Sequence, residues 1–231
     1  MSHEHVTISI ESPGSRSDRG PGVLNMRIPS SRLLIVLGLM GSGLFMAFAQ
    51  APKPVARIEA FQLDPVHCMA LFRVHHQGAG QFWGRFNDVS GTVLYPRDDS
   101  AAPEFDVKVA VNSIDTGTTK LDRTLMGPDF FNGIEFDTLS FKSTGAERVG
   151  EGRWKVQGDL VILGKKKPVE VDVEVTGVRG NPVVAKAGWE AILDIKRSDF
   201  GMNWGIDNGA LGDHVRLIIG LEGESGPPSG R

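Results

Sequence analysis

The sequence predicts an all-β protein, an antiparallel up-and-down barrel of about eight strands carrying one short helix as a plug. Three observations predict it. Apolar and polar residues alternate strictly in segment after segment, short Gly, Asn or Pro turns separate neighbouring segments, and a single stretch, Asp115 to Phe141, breaks the run with a helical spacing and an aromatic pair. Closure into a barrel removes exposed strand edges, and about eight strands enclose a space that side chains fill or one small ligand occupies. A two-sheet sandwich is the alternative arrangement of the same strands.

The strand segments read as 58–76, 81–95, 104–114, 138–148, 153–163, 167–178, 184–197 and 213–222. In the third, Phe105, Val107, Val109 and Val111 fall on one face, and Asp106, Lys108 and Asn112 on the other. Leu121 and Leu125 then stand four apart among Lys120, Asp122 and Arg123, one helical turn that Gly127-Pro128 stops. Phe130 and Phe131 follow at once. Antiparallel strands need only about two to five residues between them, so an apolar helix and two phenylalanines at this junction are expected to cover an apolar interior. Alternation resumes at Leu139, Phe141 and Ser143. It is regular again at Val169, Val171, Val173 and Val175, at Trp189, Ala191, Leu193 and Ile195, and at Val215, Leu217, Ile219 and Leu221. Turns are expected at Glu151-Gly152 and Gly180-Asn181-Pro182, and Lys165 to Lys167, between Gly164 and Pro168, are expected to be solvated turn lysines.

Ahead of the strands, Leu33 to Ala49 is a 17-residue apolar run preceded by Arg27 and Arg32 and closed by Ala47-Phe48-Ala49. This is an export signature with a small-residue cleavage site, and Met26 stands where a normal n-region begins, which makes it the expected true start. An uncleaved anchor is the alternative, though 17 residues at 1.5 Å each span only about 26 Å against a hydrocarbon core of about 30 Å. The organisation expected is an extension and signal over 1–49, a linker over 50–57, the barrel over 58–222 and a tail over 223–231. Either reading places the barrel outside the cytoplasm, periplasmic or extracellular, where a single cysteine leaves it without an internal disulfide.

Without residues 1–49, 21 Lys and Arg face 25 Asp and Glu, a net of −4, and nothing favours a nucleic-acid partner. No G-x-S-x-G elbow, H-E-x-x-H helix or Gly-rich phosphate loop is present, so no enzymatic activity and no cofactor are expected. Cys68 next to His67 would point to the opposite face of a strand, and no third group orients such a pair. His67, Cys68, His75 and His76 do not form a single-strand metal site, because strand residues eight apart lie about 26 Å from each other. A bulged pair joined by His214 is the only geometry left for a metal. His67 and His76 are instead candidates for hydrogen bonding near a ligand head or a barrel end, with satisfied structural histidines as the plainer reading.

A family resemblance rests on ordered blocks. These are Leu63-Asp64-Pro65-Val66-His67, Phe72, His76, Gly78, Gly84-Arg85-Phe86 and Ser90-Gly91, then Ser113-Ile114-Asp115-Thr116-Gly117, Asp122, Leu125 and Asp129-Phe130-Phe131. Phe141-Lys142-Ser143-Thr144, Gly158-Asp159-Leu160 and Arg197-Ser198-Asp199-Phe200-Gly201-Met202 complete the set. In order and spacing, over about residues 58–222, the chain resembles the YceI-like polyisoprenoid-binding family. The resemblance implies an exported, lipocalin-like barrel whose apolar interior binds a polyprenyl chain, such as an isoprenoid quinone or a lipid-carrier precursor. Cys68 departs from it, since relatives usually carry a small hydroxyl residue there.

An isoprenoid tail offers no hydrogen bonds, so its cavity needs apolar walls. Phe72, Phe86, Val111, Leu125, Phe130, Phe131, Phe141, Phe200, Met202 and Trp204 are the candidate walls, with ordinary core packing as the plainer role for each. The function expected is non-enzymatic binding, sequestration or transport of that lipid. Two alternatives stand beside it: an accessory or stress-response module docking on a membrane redox protein, with the barrel a filled scaffold, and a haem- or metal-handling protein. A membrane protein or membrane surface as further partner, and a homodimer, are left open.

Overall fold

The computed structural model describes residues 57–96, 100–181 and 183–226. The export segment, Met26 and the linker up to residue 56 lie outside the described residues, as does the tail from 227 on.

The first expected strand is two. β1 (Ile58–Leu63) and β2 (Met69–His76) are separated by a turn in which Pro65 brings no N–H and the Asp64 carboxylate accepts the Val66 N–H at 3.0 Å. The turn reverses the inward parity, from Phe61 and Leu63 to Ala70, Phe72 and Val74. The second expected strand likewise divides into β3 (Gly80–Phe86) and β4 (Val89–Pro96). At that break the Asn87 N–H reaches the Ser113 carbonyl (3.1 Å) and the Asp88 N–H the Ser113 hydroxyl (3.0 Å). The third becomes β5 (Glu104–Ala110), a 3₁₀ turn (Val111–Ser113) and β6 (Ile114–Asp115).

Helix α1 (Thr119–Leu125) follows, and then five unbroken strands: β7 (Thr138–Gly150), β8 (Arg153–Ile162), β9 (Lys165–Gly180), β10 (Ala185–Lys196) and β11 (Leu211–Ser225). Around the ring the order is β1-β4-β5-β7-β8-β9-β10-β11, closed by β1 against β11, so the protein is an antiparallel eight-stranded barrel. β2, β3 and β6 continue β1, β4 and β5 toward one end, with β2 on the remaining edge of β11.

Two boundaries differ from the sequence reading. β11 runs to Ser225, because Gly223 to Ser225 pair with Leu63 to Phe61 to close the ring. Lys165 to Lys167 open β9, opposite Ile162 to Leu160, and the turn is Leu163-Gly164 alone, both with positive φ (50° and 68°). That two-residue geometry matches the twist of a hairpin.

At the end where β1 starts, Trp189 is enclosed edge-on by Phe61, Tyr95 and Phe105 at 5.5, 5.9 and 6.2 Å, a solid aromatic floor. At the opposite end lie α1 and its following loop, the Leu163-Gly164 turn, and the connection from a 3₁₀ turn (Arg197–Phe200) to β11. The interior is open toward that second end.

Candidate functional site

Between the aromatic floor and α1 lies a cavity of about 410 Å³, within the range of small-molecule sites, roughly 300–1,000 Å³. Among its described lining residues only His76, Thr124, Asp129, Ser140 and Arg197 carry conventional polar side chains. The rest are aliphatic, aromatic or methionine, supplied by the strands and, at the plug end, by α1, its following loop and the Phe200–Trp204 segment.

The glycines of two walls set their aromatic partners. A Cβ on Gly84 would collide with the Phe72 ring, and one on Gly158 with the Phe141 ring, so each ring takes the space over a glycine of the adjacent strand while lining the cavity. Phe72 packs in turn on Phe86 (5.7 Å), which meets Phe131 edge-on (5.2 Å, 85°).

The plug is built locally. The Asp122 carboxylate accepts the Thr116 N–H (2.8 Å) and hydroxyl (2.7 Å), fixing α1 to the strand before it. Leu121, Thr124 and Leu125 thereby face the cavity. After Met126 the chain folds back: the Phe131 N–H donates to the Leu125 carbonyl (3.0 Å) and the Asn132 N–H to the Gly127 carbonyl (2.9 Å). This sets Phe131 against Phe86 and Phe130 against Trp204 (5.4 Å).

Arg197 secures the other side of the opening. It is 4% exposed, and its guanidinium donates to the carbonyls of Gly212 (2.7 Å), Met202 (2.9 Å), Trp204 (2.8 Å) and Leu211 (2.8 Å). Burial pulls it below its ordinary pKa, with the Asp213 charge opposing. The Asp213 carboxylate accepts the Ser198 N–H (2.9 Å) and hydroxyl (2.8 Å). Burial pushes Asp213 up, but those bonds, with Arg197 and His214 nearby, prevail and hold it below the ordinary carboxylate range. The segment bearing Phe200, Met202 and Trp204 is thus held by two charge-assisted bonds, and two more fix the same guanidinium to the start of β11.

Ten of the twelve residues singled out in the sequence lie on this cavity: Phe72, Phe86, Leu125, Phe130, Phe131, Phe141, Phe200, Met202, Trp204 and His76. Val111 does not. Strand alternation stops at Ala110, and the 3₁₀ turn carries Val111, fully buried, under Met126 and Gly133 beside the plug. His67 does not either. It lies in the exposed turn after β1, its Nδ1 2.8 Å from the Asp64 carboxylate and 3.9 Å from that of Glu222. Among the described residues this trio is the one group of three His, Cys, Asp or Glu donors within 4.8 Å of one another, and His214 has no part in it.

Several lining residues went unnamed, including Phe82, Leu160, Leu193 and Leu217. Their signal was strand parity, the same that marks ordinary core. Cys68 is buried, its thiol donating to the Glu222 carbonyl and accepting the Glu222 N–H, both at 3.3 Å. The sulfur thus serves as donor and acceptor, as a hydroxyl would, and burial pushes its pKa up.

Fold and cavity define a class: a closed antiparallel β-barrel with an apolar, ligand-sized interior. The chain belongs to the YceI-like domain family, whose pattern matches residues 61–223. It is 32% identical over 186 residues to a UPF0312 protein of Yersinia pestis (80% of this chain, 95% of the relative). To protein YceI of Escherichia coli it is 31% identical over 189 residues (81% and 96%). Among solved structures it resembles BcnA of Burkholderia cenocepacia, with a TM-score of 0.61 at 24% identity over 69% of this chain and 98% of that one. It also resembles a polyisoprenoid binding domain from Saccharophagus degradans implicated in plant cell wall breakdown, with a TM-score of 0.57 at 15% identity over 73% and 99%. At those identities the two structures speak for the fold.

Proposed function

We propose that this barrel binds, sequesters or carries a polyprenyl lipid, such as an isoprenoid quinone, without catalysing its conversion, in a compartment outside the cytoplasm. The observation that carries the reading is the cavity: about 410 Å³ bounded almost wholly by carbon, under a plug of Leu121, Leu125 and Phe131. Such a space rejects polar solutes, whose unpaired groups are expensive to bury, and rewards a flexible hydrocarbon at about 0.8 kcal/mol per methylene. The polyisoprenoid binding of the Saccharophagus degradans domain, which shares the fold, supports this ligand class. The export signature over residues 33–49 supports the compartment.

The reading as a docking module on a scaffold required a filled interior, and the cavity speaks against it. Among the described residues, the haem or metal reading finds its one donor trio in the exposed turn after β1, away from the cavity.

Native mass spectrometry and organic extraction of the protein, purified from its host without detergent, test the proposal. A co-purifying mass that extracts as a polyprenyl compound is expected, with occupancy at least about tenfold lower in Phe131→Asp. A lipid-free mass that persists after incubation with isoprenoid quinones, or unchanged occupancy in Phe131→Asp, refutes it. N-terminal sequencing of the mature chain is expected to begin near Gln50, and a chain retaining residues 33–49 in the cytoplasm would refute the compartment.

A further inference from the structure

At the open end of the barrel two large apolar side chains face solvent. Trp204 is 51% exposed while also lining the cavity, and Ile134 is 98% exposed at the tip of the Asn132–Phe136 turn. They flank one opening. Phe130, four residues before Ile134, packs on Trp204 at 5.4 Å. Gly164 of the β8–β9 turn lies so close to Phe136 that an added Cβ would clash, and Gly201 has the same relation to Lys165. The three segments thus form one rim, with the cavity behind it.

We propose that this rim docks on the headgroup layer of a lipid bilayer, with Trp204 and Ile134 inserted and the cavity mouth facing the membrane. The inference deepens the lipid-carrier reading and rests on it. Three features favour a bilayer. An indole with one face on hydrocarbon and its edge in water suits the headgroup level. Charge does not select the partner, because Lys120, Arg123, Lys165, Lys166 and Lys167 on these end segments meet Asp122, Asp129, Glu135, Asp137, Asp199 and Asp207, which is close to balance. An apolar insertion is what remains, and its salt dependence is weak. Finally, the cavity continues outward along Trp204, so an apolar ligand passing between cavity and bilayer need not cross water, which would cost about 25 cal/mol for each Å² exposed.

The other end of the barrel supplies an internal control. Val149, Val183 and Val184 are 48%, 70% and 52% exposed there, near the β7–β8 and β9–β10 turns, and the pocket that Val184 borders is lined also by Thr176, Arg179, Lys186 and Glu222, apart from the apolar interior. Scattered exposed residues of this kind are ordinary.

The experiment is flotation of the domain from residue 52 on with phosphatidylcholine vesicles. That part carries the whole described core, and solved barrels of the same fold are covered almost end to end by it. Ile134→Asp, which perturbs no packing, is expected to lower vesicle affinity about tenfold or more, with Val183→Asp unchanged. Brominated lipids are expected to quench the wild type, and Trp204→Phe is expected to lose that quenching while keeping the Phe130 contact. Absence of flotation, an equal loss in Val183→Asp, or flotation only with native membranes and abolished by protease would overturn the proposal, the last in favour of a protein partner. Extractable polyprenyl lipid is measured on the same samples. Flotation that depends on Ile134 in a chain without such lipid would sink the carrier reading and leave the docking surface standing.

Discussion

Filling the cavity should separate stability from binding. Ala191 is 8% exposed, lines the cavity, and stands in register between Val173 of β9 and Ile219 of β11. Ala191→Ile adds three carbons to that wall, and a β-branched side chain suits a strand. At about 0.8 kcal/mol per carbon the gain is capped near ~2.4 kcal/mol. Loss of isoleucine rotamer freedom removes about 0.5–1 kcal/mol, and a compact unfolded state removes a further share. The lipid-free protein should therefore gain about 1–2 kcal/mol, and its Tm should rise by roughly 3–6 °C for a barrel of this size. The ligand, however, loses space at mid-cavity, so polyprenyl occupancy should fall. Ala70 occupies the matching position on β2, across Ile219, about 10 Å from Ala191 at two strand spacings. Ala70→Ile should thus add its own increment nearly independently. The assays are urea unfolding of delipidated protein and native mass spectrometry of protein taken from its host. A lower urea midpoint in both variants would mean that the wall is packed and the cavity absent. A higher midpoint with undiminished occupancy would mean that the ligand lies elsewhere.

Arg197→Met leaves four carbonyls at the open end without their donor, which should cost about 3 kcal/mol or more. A lowered urea midpoint and faster amide exchange in the Gly201–Gly205 region are the expected readings, and unchanged exchange there would show that Arg197 does not hold the segment. Asp213 has a folded pKa below its ordinary value, so its contribution is present above the unfolded value, about 3.9, and disappears as pH falls through the folded value. Urea midpoints measured from pH 7 downward should therefore drop below about pH 4, less steeply in Asp213→Asn. Parallel profiles would count against the Ser198 bonds as the cause. Cys68, buried and with its thiol pKa raised, should react with iodoacetamide far more slowly in native protein than in urea, and equal rates would place the sulfur at the surface.

The eight walls of the barrel were legible from alternation, because an antiparallel strand with one dry face repeats every two residues. The breaks at Asp64–Cys68 and Asn87-Asp88 were hidden, since each has regular alternation on both sides and the parity reversal shows only when the inward faces are known. Val111 was misplaced for a related reason: it continues the Phe105, Val107, Val109 rhythm, yet Ala110 ends the strand and the next three residues turn. His67 and His76 looked equivalent in sequence. Only the turn after β1 puts the first against Asp64 outside the barrel, while the second reaches the rim of the cavity.

The sequence by itself determined the eight walls, the plug between β6 and β7 and the apolar character of the interior, all consequences of local period and composition. The tertiary structure alone decided how the ring closes, through β1 on β11 across some 160 residues of chain, because no local signal encodes a pairing so distant. It alone decided that the interior stays open, too. Whether inward side chains meet or leave a space depends on strand tilt, on rings seated over Gly84 and Gly158, and on a floor closed around Trp189, and these are properties of several walls at once.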